Sequence, residues 1–271
     1  MIIQNEKELE ILREGGKKLA AILLSVSEKA IHGISSKELD GFAEKLILKC
    51  GGKPSFKNYK NPMGKNNYPA TLCVSINEEV VHGIPDSRIL KTGDIVGLDI
   101  GMLWPSEVLA KEAGVEKGFY TDTALTVIVG EIVGKKNKKF FEAKRLIDAT
   151  KKSLDTGISK VKVGARVGDI GFAIQSFLER EGFGVVKELV GHGVGNAVHE
   201  DPEIPNWGKL GTGTELREGM VIAIEPMVTE GSSRVKLLDD GWTWSTRDGS
   251  RAAHFEHTLV VTKNGAEILT K

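Results

Sequence analysis

Apolar residues recur along this chain at two periods, and the switches between them outline its elements. Ser35-Ser36-Lys37-Glu38 is a capping-box sequence. Leu39, Phe42, Ala43, Leu46 and Ile47 then follow at helical spacing until Gly51-Gly52, which predicts an amphipathic helix. Ile170, Ala173, Ile174, Phe177 and Leu178, ahead of Gly182, predict another. Longer amphipathic stretches at roughly 7–31 and 138–157 precede the two. β-Branched runs between turn residues predict strands at about 94–100, 123–130, 185–190, 220–228 and 255–262.

The two halves of the chain rhyme. Leu90–Met102 aligns without gaps on Leu216–Val228, which puts Asp99 on Glu225. Thr121–Val129 echoes Phe255–Lys263, which puts Asp122 on Glu256, and His82 falls where His199 does. Gly41-Phe42-Ala43 recurs as Gly171-Phe172-Ala173. Chance similarity would match apolar positions, whereas here the acids coincide too. The order helix, helix, antiparallel strands in each half predicts an α+β fold of two pseudo-symmetric units, with helices covering a shared antiparallel sheet. We expect one catalytic domain over 1–271, with internal halves at about 1–132 and 138–271 and a polar, solvated link at Glu131–Lys139.

Composition narrows the class. The 37 basic and 37 acidic residues cancel, which disfavours a nucleic-acid or membrane-surface binder. The apolar runs fall short of a spanning helix, and MIIQNEKELE does not read as a signal peptide, so the expected location is cytoplasmic. Cys50 and Cys73 are too few for a disulfide framework in 271 residues.

The acids carry the chemistry. Aspartate and glutamate are rarely buried unpaired, yet Asp99 and Glu225 end apolar strands and Asp122 and Glu256 open the next ones. A single strand-end acid is more often a turn or salt-bridge residue. Four of them, placed by two related halves, converge at the centre of one sheet. Such a concentration of negative charge calls for cations, and divalent metal ions with oxygen ligands answer it. His192 in GHGVG, His199 in VHEDP and His82 in VHGIP lie in turns near these strands, where a neutral imidazole can ligate a metal, carry a proton or donate to an oxyanion. His32 reads as a surface or capping residue, and His257 as structural because it alternates away from Glu256. His254 shares the Glu256 face, and its reading between structural and supporting roles stays open. The glycines at 191–195 lack dinucleotide-fingerprint spacing, and neither HExxH nor GxSxG occurs.

With Asp99, Asp122, His192, Glu225 and Glu256 in that order, the chain resembles the methionine aminopeptidases of type 1, which have the pita-bread fold. The carrying segments are SINEEVVHGIPD, IVGLDIG, YTDTALTVIVG, GHGVGNAVHEDPEIPNW, MVIAIEPMV and HFEHTLVVT. The resemblance implies a dinuclear hydrolase that removes the N-terminal methionine of new polypeptides with a hydroxide activated by two divalent ions (Co, Mn, Fe or Zn). By resemblance Asp99 serves one ion, His192 and Glu225 the other, and Asp122 and Glu256 bridge. Glu225 is the implied proton shuttle, with His82 and His199 contacting the scissile peptide. Tyr68, Cys73 and Trp242 match the methionine-pocket positions. Implied partners are N-terminal Met peptides and nascent polypeptides, with ribosome docking an option open to the family; we expect no nucleic-acid binding, no membrane and a monomer. The chain departs from the family in a long insertion at 103–120, expected as a loop near the site mouth, and at Lys65, Leu189 and Val198, which alter the expected pocket lining. Rival readings are an Xaa-Pro peptidase, which shares the ligands but usually carries an extra N-terminal domain, and a ligand-free binding module.

Overall fold

A computed structural model describes residues 1–61, 66–105, 118–130 and 138–271. The predicted helices are present: α1 (Glu6–Lys29), α2 (Ser36–Cys50), α3 (Lys138–Ile158) and α4 (Val167–Arg180). Asn5 caps α1 by accepting from the Glu8 amide. The Ser35/Glu38 capping box starts α2, and Gly51 ends it in the left-handed region at φ 89°. Of the expected link, 131–137 lies outside the described residues, and Lys138 and Lys139 already belong to α3.

The central sheet is built on the hairpin of β4 (Ile95–Pro105) and β5 (Gly118–Ile128), with β14 (Glu256–Thr262) and β9 (Val221–Ile224) beside it. β2 (Leu72–Ile76) pairs on β4; β7 (Gly191–Gly193) pairs on β9, followed by β8 (Glu200–Ile204). All of these pairings are antiparallel. This is the expected α+β, pita-bread arrangement. Its pseudo-twofold runs between β5 and β14, where Glu256 faces Ala124 and His257 faces Thr123. The repeat maps the first of these pairs onto Thr258 and Asp122. Those two are also joined: the Asp122 amide donates to Thr258 Oγ1 at 3.1 Å, and Thr258 Oγ1 donates to Asp122 Oδ1 at 2.8 Å.

Residues directly opposite in a ladder share a face. Leu98, Ile100 and Met102 point to one side, into a core with Leu19, Leu23 and Val26 of α1 and Leu39 and Ile47 of α2. Ile222, Ile224 and Leu259 point the same way, against Leu146 of α3 and Ile170 and Ile174 of α4. The helices thus cover one face. The other face holds the acids.

Three strand expectations need correction. The β4–β5 ladder continues in register to Pro105 and Gly118, so Asp99 lies inside its strand and Asp122 does not open one. Trp104 packs near the ammonium of Lys18 on α1, 4.8 Å from the ring centroid, and takes up space beside Gly15. The ends of the 103–120 insertion are therefore ladder rather than loop, and none of 103–105 or 118–120 lines the pocket described below; 106–117 lies outside the described residues. The expected strand at 185–190 shrinks to β6 (Gly184–Val185). The one at 220–228 breaks after Ile224, because Pro226 has no N–H for a ladder, and β10 (Met227–Thr229) joins a different sheet with β13 (Ala252–His254).

Candidate metal centre and substrate pocket

Ladder register explains how distant residues meet. Asp99 is opposite Ala124, and Ala124 is opposite Glu256, so Asp99, Asp122 and Glu256 share one face. Thr258 is opposite Ala223, which adds Glu225 two residues on, and Gly193 is opposite Ile222, which turns His192 the same way. His192 Nε2 lies 3.5 Å from Asp122 Oδ2, 3.6 Å from Glu225 Oε1 and 4.0 Å from Glu256 Oε1. One ligand atom each from Asp122, His192 and Glu256 falls within 4.8 Å of the others.

Burial makes this cluster electrostatically costly. Desolvation, followed by its neighbours Glu225 and Asp122 against an opposing pull from His254, pushes the Asp99 carboxyl up to about 7. Desolvation, and Asp122 against the pull of His192, lifts Glu225 to about 8. Glu256 is raised well above the carboxylate range by burial and then by the other three acids, and Asp122 is raised by burial. Asp99 Oδ1 is buried with no hydrogen-bond partner among the described residues. Ligand atoms about 2.1 Å from one cation lie about 3 to 4 Å apart, the spacing found around His192 Nε2. His192 Nδ1 is 2.9 Å from the Gly193 carbonyl, and a proton there donates to that oxygen and leaves the Nε2 lone pair facing the acids. An unpartnered buried oxygen, four acids raised in pKa and an oriented imidazole fit divalent cations.

A cavity of about 440 Å³ opens above these acids. Tyr68, Cys73, Trp242, His82 and His199 are among the residues that line it. The Tyr68 hydroxyl donates toward the carbonyl of Gly83 at 3.0 Å, and its ring meets Trp242 edge-on at 5.2 Å. Cys73 is opposite Asp99 on β2, and burial raises its thiol well above the ordinary range. Of the departures from the family pattern, Leu189 lines the cavity; Val198 is buried and does not; Lys65 lies outside the described residues. The sequence reading missed Phe56, Tyr59, Leu237 and Trp244, which come from separate turns and short strands with no periodic signal.

His82 holds a positive φ of 59° beside Trp242, and burial lowers its imidazole to about 4, which keeps it neutral. The ring of His199 stands 4.4 Å from that of His192, and its Nδ1 is 2.7 Å from the Tyr59 hydroxyl. His254 is buried with Nε2 at 3.3 Å from Glu225 Oε2, without a hydrogen bond between them. His257 points away and contacts Thr270 Oγ1 at 3.1 Å, and exposed His32 accepts from the Thr92 amide at 3.3 Å.

The model of metallopeptidase family M24 matches residues 10–263. The chain is 46% identical over 270 residues to the methionine aminopeptidase of Clostridium perfringens, covering 100% of this chain and 98% of that one.

The chain belongs to metallopeptidase family M24.

Within M24 it falls among the methionine aminopeptidases. Methionine aminopeptidase 1 of Bacillus subtilis is 45% identical over 271 residues, spanning 100% of this chain and 99% of that protein. The crystal structure of the methionine aminopeptidase from Thermotoga maritima superposes with a TM-score of 0.87 at 43% identity over the whole of both chains. The prolidase from Pyrococcus horikoshii, another pita-bread structure, shares only the fold, at 22% identity and a TM-score of 0.71 over 63% of its length. Among the described residues no helix is long and apolar enough to cross a membrane.

Proposed function

We propose that this chain is a methionyl aminopeptidase acting on N-terminal Met peptides and nascent polypeptides as a single domain with two divalent ions. The observation that carries this reading is a buried, one-faced cluster of Asp99, Asp122, His192, Glu225 and Glu256 under a pocket walled by Tyr68, Cys73 and Trp242. Asp99 would hold one ion, His192 and Glu225 the other, and Asp122 and Glu256 would bridge. When bound, such ions supply a water acidic enough to attack at neutral pH and polarise the scissile carbonyl.

The remaining work falls to side chains. Glu225, at the rim of the acid cluster with His254 Nε2 3.3 Å away, takes the proton of the attacking water and delivers it to the leaving amine. His199, held by Tyr59, donates to the oxyanion as charge develops there, and His82 donates to the peptide beyond the scissile bond. The Met side chain packs against the edge-to-face rings of Tyr68 and Trp242 and the thiol of Cys73, where sulfur and apolar surface suit a thioether. The ligand set, rich in oxygen with one imidazole, suits Mn, Fe or Co better than structural zinc.

The test is hydrolysis of Met-Gly-type against Xaa-Pro-type peptides by metal-stripped protein titrated with Co, Mn, Fe and Zn. Metal-dependent release of Met alone supports the reading; Xaa-Pro cleavage, or no metal-dependent turnover, refutes it.

A further inference from the structure

We propose that Glu200 is a positioning residue that sets His199 over the reacting peptide by closing the turn between β7 and β8; the proposal rests on the role given to His199 above. Gly193 and Glu200 face each other across that pair of strands, so residues 194–199 form the whole connection and His199 is its last member. Glu200 Oε1 accepts from the backbone amides of Asn196 at 2.6 Å and Ala197 at 2.8 Å, and Oε2 accepts from the Met1 nitrogen at 2.7 Å.

The surroundings need that carboxylate. Gly195 sits at φ +130°, with Met1 packed where a side chain would go, so the turn is irregular and forms no ladder of its own. Besides Glu200, the backbone bonds of the turn among the described residues are Gly195 N to the Ala197 carbonyl at 3.1 Å inside it, and Val194 N to Val221 O at 3.2 Å and Tyr120 N to Gly195 O at 2.8 Å outside it. Two neighbouring amides pointing at one oxygen fix the path of residues 196 and 197. The His199 ring then has only its side-chain torsions left to settle, and Tyr59 settles them. Aspartate is one methylene too short to span the same turn. Glutamine can still accept from both amides, but its NH2 then faces the Met1 donor. Among the described residues the carboxylate itself touches none of the expected metal ligands, so an unchanged Mn2+ affinity in E200A marks an effect that reaches the reaction through His199 and not through His192.

The experiment uses the full-length Mn-loaded protein with E200A, E200Q, H199A and the E200A/H199A pair on a Met-Gly-type peptide. We expect E200A to lower kcat about tenfold or more, as a misplacement of a positioned group by a fraction of an ångström does. KM and Mn2+ affinity by calorimetry should hold. E200Q should recover part of the loss, and hydrogen exchange at Asn196 and Ala197 should speed up in E200A. The pair should be no slower than H199A, because a positioning effect has nothing left to act on. A normal kcat in E200A beside an impaired H199A overturns this proposal and leaves the peptidase reading intact. So does a full E200A penalty in the H199A background. A normal H199A overturns the role of His199, and this proposal with it. If E200A fails to fold, E200D decides, because aspartate cannot reach both amides: unchanged exchange at Asn196 and Ala197 together with unchanged kcat in E200D overturns the proposal equally.

Discussion

Replacing Asp99 by asparagine keeps the shape of the side chain and removes one of four crowded negative charges. In the metal-free protein that charge is a liability. Burial and the neighbouring acids lift the carboxyl from 3.8 to about 7. At about 1.4 kcal/mol per pH unit, this amounts to a penalty of about 4 kcal/mol once the group is ionised in the folded state, an upper limit because water entry relaxes it. The sign follows from linkage. The folded state holds this proton more tightly than the unfolded chain, so there is no penalty below pH 4, it grows as pH rises through the window from 3.8 to about 7, and it is complete above. Relative to metal-free wild type, Asp99→Asn should therefore gain stability as pH rises from 5 to 8. For a domain of this size, 4 kcal/mol corresponds to about 8 to 16 °C in Tm, and a gain of several degrees at pH 8 is expected. With Mn2+ the order should invert. Wild type gains Tm with the logarithm of metal concentration above the Kd, because an ion that binds only the folded state stabilises it, and Asp99→Asn loses most of that gain. Calorimetry on EDTA-treated protein at several pH values, with and without Mn2+, reads all of this. A stability difference between Asp99→Asn and metal-free wild type that is the same at pH 5 and pH 8, or an Asp99→Asn variant with the full Mn2+ response, would refute the charge-cluster argument.

Three further outcomes follow from the same geometry. Glu256→Ala should abolish turnover and lower the bound Mn2+ per chain together, as measured by elemental analysis; retained turnover would contradict its bridging role. His199→Ala should cut kcat by about 10²-fold while metal stays bound, the usual effect of losing an oxyanion donor, and an unchanged kcat would remove that role. Leu98→Ala, at a position with 0% exposure on the helix-covered face, should cost about 2 to 5 kcal/mol in urea unfolding, whereas a loss below 1 kcal/mol would mean that the core under Asp99 is looser than its packing implies.

Much of the site could be read along the chain because strand geometry is local. Side chains two apart share a face, so Asp122 and Thr126, or Glu225 and Ala223, declare a common side before any fold is known. The duplication supplied the other half of the inference, by putting an acid at each symmetric position. Helix ends were equally legible, since the Ser35/Glu38 box and Gly51 act within one turn. Strand ends were less so. The β4–β5 hairpin runs on to Pro105 and Gly118 because α1 offers its Gly15 side to Trp104, a contact remote in sequence.

The sequence alone determined that four acids and one histidine belong together, that helices back the sheet carrying them and that metal chemistry is the answer to so much buried charge. The tertiary structure alone decided that Phe56, Tyr59 and Trp244 join Tyr68 and Trp242 in the pocket wall, that His254 rather than His257 approaches Glu225, and that Glu200 closes the turn that ends at His199. Periodicity and capping act between neighbours and leave a trace in residue order. Pocket walls and turn closures join residues such as Tyr59 and His199, whose proximity depends on how separate segments pack.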